Sequence, residues 1–342
     1  MKRSATIFFL LAILLSLFGV NLFIGSVKIP AGAVFDILCG NDAGRETWRY
    51  IVLYSRLPQV VTALFAGAAL ATAGLMLQTV FANPLAGPSI LGIDAGASLG
   101  VALVMLLCGG TIGMTDLHSV NGYVAVVGGA FMGAAVVLGL IIFFSTFLRS
   151  NIMLLIIGIM IGYLSSSLTS LLNFFSTAEG VFSYTVWGMG DFAGVSMQQL
   201  PVFCGLLTVG LVMAFLSMKP LNALLLGERY AANLGVNVKR TRAFLFLSTG
   251  ILTAVTIAFC GPILFIGLVV PHIARLLLGS SNHNLLLPFT LVLGANIAML
   301  CNLISVLPGA TGTIPLNAIM PVLGAPVIIY VIVNQKKIQY FH

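Results

Sequence analysis

Charge is what this sequence has least of. Asp and Glu number 8 and Lys and Arg 15 in 342 residues, and charged residues make up 7% of the chain against 60% hydrophobic, with a mean hydropathy of +1.14. A soluble domain carries about a quarter charged residues, so a water-soluble globule is excluded and the chain is built for lipid. No G-x-x-x-x-G-K-[ST] phosphate loop occurs, which excludes nucleotide hydrolysis by that mechanism on this polypeptide. No two of the five cysteines form a CxxC, and Cys108, Cys204, Cys260 and Cys301 lie in or beside apolar runs. Such thiols read as buried and inert, with no disulfide framework and no metal site. The cations sit singly at the ends of apolar runs and form no basic stripe, so no nucleic-acid partner is expected. Nor is there a nucleophile with a base, or a relay of acids and histidines, so no catalytic residue and no cofactor of its own is expected.

What is present is a succession of apolar runs. Read between polar breaks they give ten helices, near 5–27, 57–80, 91–108, 121–147, 152–173, 198–217, 242–262, 264–279, 285–305 and 316–334, each to be matched against the roughly 20 residues that span a bilayer. The first, behind Lys2 and Arg3, is too long for a signal-peptide core and lacks its cleavage pattern, so it reads as a transmembrane helix. The eighth is short and carries Pro271, His272 and Arg275, which reads as a broken or re-entrant segment. No room is left for a soluble domain, and residues 1–342 read as one all-α membrane domain of about ten transmembrane helices.

Ten crossings put both termini on one side, and the cations say which. A cytoplasmic assignment of the termini puts Lys2, Arg3, Arg149, Lys219, Arg229, Lys239, Arg240, Arg242, Arg275, Lys336 and Lys337 inside, against Lys28, Arg45, Arg49 and Arg56 outside. That bias satisfies the positive-inside rule and implies a multi-pass protein of a cytoplasmic membrane. Glycines recur at four-residue spacing, at Gly92, Gly96 and Gly100, at Gly129 and Gly133, and at Gly158 and Gly162. This spacing lines one helix face with small residues and predicts tight helix pairs.

Two connections stand out. Residues 219–241 begin KPLNALLLGERYAANLGV; the stretch is rich in Leu and Ala, is broken at Gly227 and Gly235, and is too short to span. It reads either as an amphipathic segment lying on the membrane or as a docking surface for a partner. The second, FANPLAGPSILGIDAGAS from Phe81, leads to Asp94, a carboxylate placed to meet free amides at a helix start.

The run from Arg56, RLPQVVTALFAGAALATAGLMLQTVFANPLAGPSILGIDAGASLG, resembles the signature of the FecCD-type permeases, the membrane subunits of type II ABC importers for ferric siderophores, haem and vitamin B12. GPILFIGLVVPHIARLLLG from Gly261, LNALLLGERYAANLGV from Leu221 and LGAPVIIYVIV from Leu323 match in order and spacing, so the resemblance covers nearly the whole chain. It implies the type II permease fold, a homodimer in the lipid of a bacterial inner membrane, two ATP-binding subunits on the cytoplasmic side that hold the ATP, an extracytoplasmic substrate-binding protein, and import by alternating access. A secondary carrier or channel without an ATPase is the alternative class.

The resemblance selects the docking reading of residues 219–241, and it assigns coupling to the ATPase to Leu221, Asn222, Gly227, Glu228, Ala231, Leu234 and Gly235. It assigns docking of the binding protein to Arg56 and the neighbouring Gln59, and pathway lining to Gly158, Gly162, Ser165 and Ser166. The departures are Gln59 where the family carries a second Arg, Asn302 and Val306 where an Asp and an Arg are frequent, and Thr313-Ile314-Pro315 in place of Glu-Leu-Pro. These imply docking with fewer ion pairs.

Overall fold

The computed structural model describes residues 2–41, 45–107, 120–148, 150–308 and 312–333. Asp42, Cys108, Asp116, Arg149, Lys336 and Lys337 lie outside the described residues. Every regular element among the described residues is helical, as required where no water can satisfy a strand edge. In chain order the α-helices are α1 (Lys2–Phe23), α2 (Ala31–Leu38), α3 (Glu46–Tyr50), α4 (Leu57–Val80), α5 (Ile93–Ala102), α6 (Val120–Phe147), α7 (Asn151–Phe175), α8 (Ala178–Gly188), α9 (Leu200–Leu216), α10 (Met218–Leu224), α11 (Glu228–Asn233), α12 (Val238–Cys260), α13 (Ile266–Leu278), α14 (His283–Val306) and α15 (Leu316–Val333). Local chemistry fixes several starts. Ser150, Thr177, Asn237 and Asn282 cap α7, α8, α12 and α14 by accepting amides of the first turn, and α4 and α9 open with a proline whose missing N–H is no loss there.

Six helices, α1, α4, α6, α7, α12 and α14, are long and apolar enough to cross a membrane, and α9 with α10 makes a seventh if their 52° bend lies within one span. The shorter α5, α13 and α15 are also apolar, so a helix stands at each position expected from the apolar runs. The bundle is layered. The most apolar stretches of α4, α12 and α14 are 67–83% buried, whereas those of α1, α6 and α7 are 17–28% buried. The first three form the centre, and the others present side chains to lipid or to a partner.

Small residues set the central contacts, because lipid gives two helices no hydrophobic reason to approach and only close dispersion contact favours them. A Cβ added at Gly67 of α4 would stand 2.3 Å from the Gly294 carbonyl oxygen of α14, and one at Gly100 of α5 would stand 1.9 Å from that of Gly129 on α6. Gly133 meets Gly96 in the same way, at 2.0 Å. The four-residue spacing in the sequence is therefore a backbone-to-backbone seam.

With its π-helical continuation Leu103–Leu107, α5 reaches about 20 Å, as does α13 at the usual rise per residue, short of the roughly 30 Å hydrocarbon core. Both begin near mid-depth: Gly92 abuts Gly158 and Gly162 inside α7, and Gly267 abuts Leu70 and Gly74 inside α4. Gly-Pro passages, 81–92 and 261–265, lead into them, and Pro88 of the first lies against Gly267 in the first turn of α13. Exposed backbone there is tolerated only if protein satisfies it, and for 261–265 Asn317, in the first turn of α15, does so. Its Nδ2 donates to the Gly188 and Pro262 carbonyls (3.0 and 2.7 Å) and its Oδ1 accepts the Leu264 amide (3.2 Å).

Candidate functional site

The end of the bundle that carries α10 and α11 is the first candidate. Leu221 and Leu224 of α10 and Ala231 of α11 are buried against the bundle and act as anchors. Gly227 and Gly235 both adopt positive φ, +94° and +84°, with open space around them, so Gly227 turns the chain from α10 into α11 and Gly235 from α11 toward α12. Glu228 forms an ion pair with the buried Arg242 and so ties α11 to the start of α12. Asn222 points inward, where its Oδ1 accepts the His283 amide at 2.8 Å. On the opposite face Leu226, Tyr230 and Leu234 are 53%, 54% and 59% exposed, flanked by the exposed cations Arg229, Lys239 and Arg240.

Of the seven residues expected to couple, Leu234 lies on this outward face and Gly227 and Gly235 shape it. Leu221, Asn222 and Ala231 turn their side chains toward the bundle and hold the segment to it, and Glu228 does so through Arg242. Leu226 and Tyr230 were not singled out in the sequence, although their four-residue spacing with Leu234 is a signal for a shared face.

At the far end, Arg56 turns into the bundle. Arg56 is 4% exposed, and its guanidinium donates to the Leu22 and Phe23 carbonyls at 2.8 and 2.9 Å and also to that of Val27. A cation with five donors placed on the last carbonyls of α1 completes that helix end and meets its negative dipole. Gln59 is likewise engaged inward: its Nε2 donates to Asn302 Oδ1 (3.0 Å), and Asn302 Nδ2 donates to Asn21 Oδ1 (3.0 Å). Two of the departures, Gln59 and Asn302, are thus each other's partners, a neutral pair joining α4 to α14. The exposed cations of this end are Lys28, Arg45 and Arg49, with the Arg45 guanidinium 4.8 Å from the Trp48 ring.

The residues proposed to line a pathway divide. Gly158 and Gly162 face the backbone at Ile90–Gly92, and Ser165 is buried. Ser166 is exposed, as are Tyr163, Ser167 and Ser170 beside it on α7. Asp94 stands in the first turn of α5, where its Oδ1 accepts the Ala95 amide at 3.0 Å. No cluster of three or more potential metal ligands occurs among the described residues.

Comparison with known proteins places this architecture. The FecCD transport family matches residues 10–334. The vitamin B12 import system permease protein BtuC of Klebsiella pneumoniae subsp. pneumoniae is 36% identical over 281 residues, 82% of each chain, and that of Citrobacter koseri is 34% identical over 282 residues, again 82% of each. A solved chain of a metal-chelate type ABC transporter, in an inward-facing conformation, superposes with a TM-score of 0.82 at 28% identity over 97% of this chain and 99% of its own. With a family match over nearly its whole length, on a bundle whose every expected helix is present, this chain belongs to the FecCD transport family and is a membrane permease of the ABC transporter type.

Proposed function

We propose that this chain is the translocation subunit of an ATP-driven importer that brings a bulky metal chelate, a ferric siderophore, haem or a cobalamin, into the cytoplasm by alternating access. The observation that carries the reading is the α10–α11 segment, anchored by Leu221, Leu224 and Ala231 and open to the outside through Leu226, Tyr230 and Leu234. An apolar face too short to span a bilayer and ringed by cations suits a groove on a cytoplasmic ATP-binding subunit. The positive-inside bias supports a cytoplasmic position for this end and for both termini. The far end would meet a binding protein through Lys28, Arg45 and Arg49, in place of the sequestered Arg56.

The outward face of α7, with Ile152, Met153, Ile156 and Met160 exposed toward one end and Ser166, Ser167 and Ser170 toward the other, supports a homodimer that meets along this helix. The relatives named for vitamin B12 import make a cobalamin the first substrate to try. The test is reconstitution in lipid vesicles with the candidate ATP-binding subunit, followed by ATP-dependent uptake of labelled cyanocobalamin and of a labelled ferric siderophore. Association of the wild type and loss of it in Gly227→Arg, which puts a bulky charge at the turn of the docking face, is the expected result. A wild-type chain that binds no ATP-binding subunit, and moves either solute without ATP, would make it a secondary carrier.

A further inference from the structure

The N-terminus of α14 is completed by a residue from another element. The first amides of a helix have no partner within it. Here Asn282 Oδ1 takes the Asn284 amide at 2.9 Å, and the His283 amide is taken by Asn222 of α10 at 2.8 Å. Asn222 also donates through Nδ2 to the side-chain oxygens of Asn282 and Asn284, both at 3.2 Å. The partner-facing segment is therefore bonded to the first turn of α14 through one side chain, as well as packed beside it.

His283 extends that bond inward. Its side chain is wholly buried, with Nδ1 3.1 Å from Asn222 Oδ1 and Nε2 2.9 Å from Thr79 Oγ1 on α4. The orientation of Asn222 is fixed, because its Oδ1 already accepts a backbone N–H. An acceptor facing Nδ1 requires that Nδ1 carry the proton. Nε2 then faces the Thr79 hydroxyl, whose single proton is shared between the ring nitrogen at 2.9 Å and the Leu75 carbonyl at 3.1 Å. The imidazole thus spans from the docking segment to the last turn of α4, and α4 meets α14 again at the Gly67–Gly294 contact.

We propose that His283 is a positioning residue of the transport cycle: through Asn222 and Thr79 it carries movement of the partner-facing segment into the two central helices, α4 and α14. The proposal rests on the ATP-driven reading above. Apolar contacts at Leu221 and Leu224 can slide as a partner pulls, because dispersion is non-directional. Directional bonds at both ring nitrogens hold register, so a displacement of α10 is passed to both helices together.

The experiment is hydrogen–deuterium exchange on the assembled complex of this chain with its ATP-binding subunit, without nucleotide and with ATP and vanadate. In the wild type, nucleotide alters exchange both in residues 218–234 and at the far ends of α4 and α14. In His283→Ala the change at 218–234 and the affinity for the ATP-binding subunit persist, while the far-end change falls about fivefold, the low end of coupling between separated sites. His283→Asn, whose amide stands where Nδ1–H stands, recovers part of it. Thr79→Val removes only the inner bond and gives an intermediate loss even if His283→Ala folds poorly. A purely structural role would instead raise exchange before nucleotide is added and lower both changes together. A far-end change of wild-type size in both His283→Ala and Thr79→Val overturns the proposal. A wild type that binds the ATP-binding subunit with no change anywhere overturns the transport reading, and this inference with it.

Discussion

Replacing Asn317 with leucine tests whether the irregular passages are held as described. The side chain bonds three backbone groups, the Gly188 and Pro262 carbonyls and the Leu264 amide, none of which has the regular partner a helix interior supplies. Leucine has similar bulk but offers neither donor nor acceptor. A buried polar group that loses its partner costs roughly 1–3 kcal/mol, so three give about 3–9 kcal/mol if no water enters, and less where one does. Asn317→Asp, as the neutral acid, keeps the acceptor for Leu264 and one donor for the two carbonyls, so it falls between. The assay is the midpoint of thermal unfolding in a mild detergent, run beside Thr256→Val, whose hydroxyl bonds only the Leu252 carbonyl of its own helix. The expected order is wild type, Thr256→Val, Asn317→Asp, Asn317→Leu. If Asn317→Leu melts with Thr256→Val, the passages are held by packing alone and the account of them is wrong.

Gly100→Ala is expected to abolish the folded yield, because its Cβ would stand 1.9 Å from the Gly129 carbonyl oxygen, whereas Gly139→Ala meets nothing within 4 Å and should gain up to about 1 kcal/mol from helix propensity; fluorescence-detected size exclusion separates the two. Arg56→Leu strips the end of α1 and should cost about 3 kcal/mol of stability while leaving the salt dependence of binding-protein docking in place; Arg45→Ala with Arg49→Ala should do the reverse, read by melting and by titration at two ionic strengths. Gln59→Leu and Asn302→Leu each leave a polar partner stranded, so the double variant should be more stable than the sum of the single losses predicts, a non-additivity read from a double-mutant cycle.

Much of this was legible from local pattern. Lipid forces each apolar run into a helix, so the runs alone placed every span, and the spacing of Gly96 and Gly100 against Gly129 and Gly133 announced the seam they form. Gly227 and Gly235 announced the turns of the docking segment. Direction was not legible. Arg56 follows α1 by a whole connection, and nothing local says whether its guanidinium turns to solvent or back to the Leu22 and Phe23 carbonyls. Gln59 and Asn302 are 243 positions apart, and their pairing is a fact of tertiary packing. Gly158 and Gly162 share a helix face with residues that could line a path or fill a contact, and only the neighbouring Ile90–Gly92 backbone decides. Asn317 looks like any polar residue in a first helical turn until the end of α8 and the 261–265 passage it satisfies are beside it.

The half-depth helices bear on how the chain is made. A 13-residue helix such as α13 is too short to be released into a bilayer by itself, since the adjoining stretch at 261–265 would carry bare amides and carbonyls into hydrocarbon. Its lateral exit from the translocon must await the groups that cover it. Some of these, Leu70 and Gly74, are synthesised nearly 200 residues earlier, while Asn317 emerges only about 50 residues later. Biogenesis of this end of the protein is therefore cooperative over the last third of the chain, and a polypeptide truncated before α15 would leave α13 a substrate for quality control.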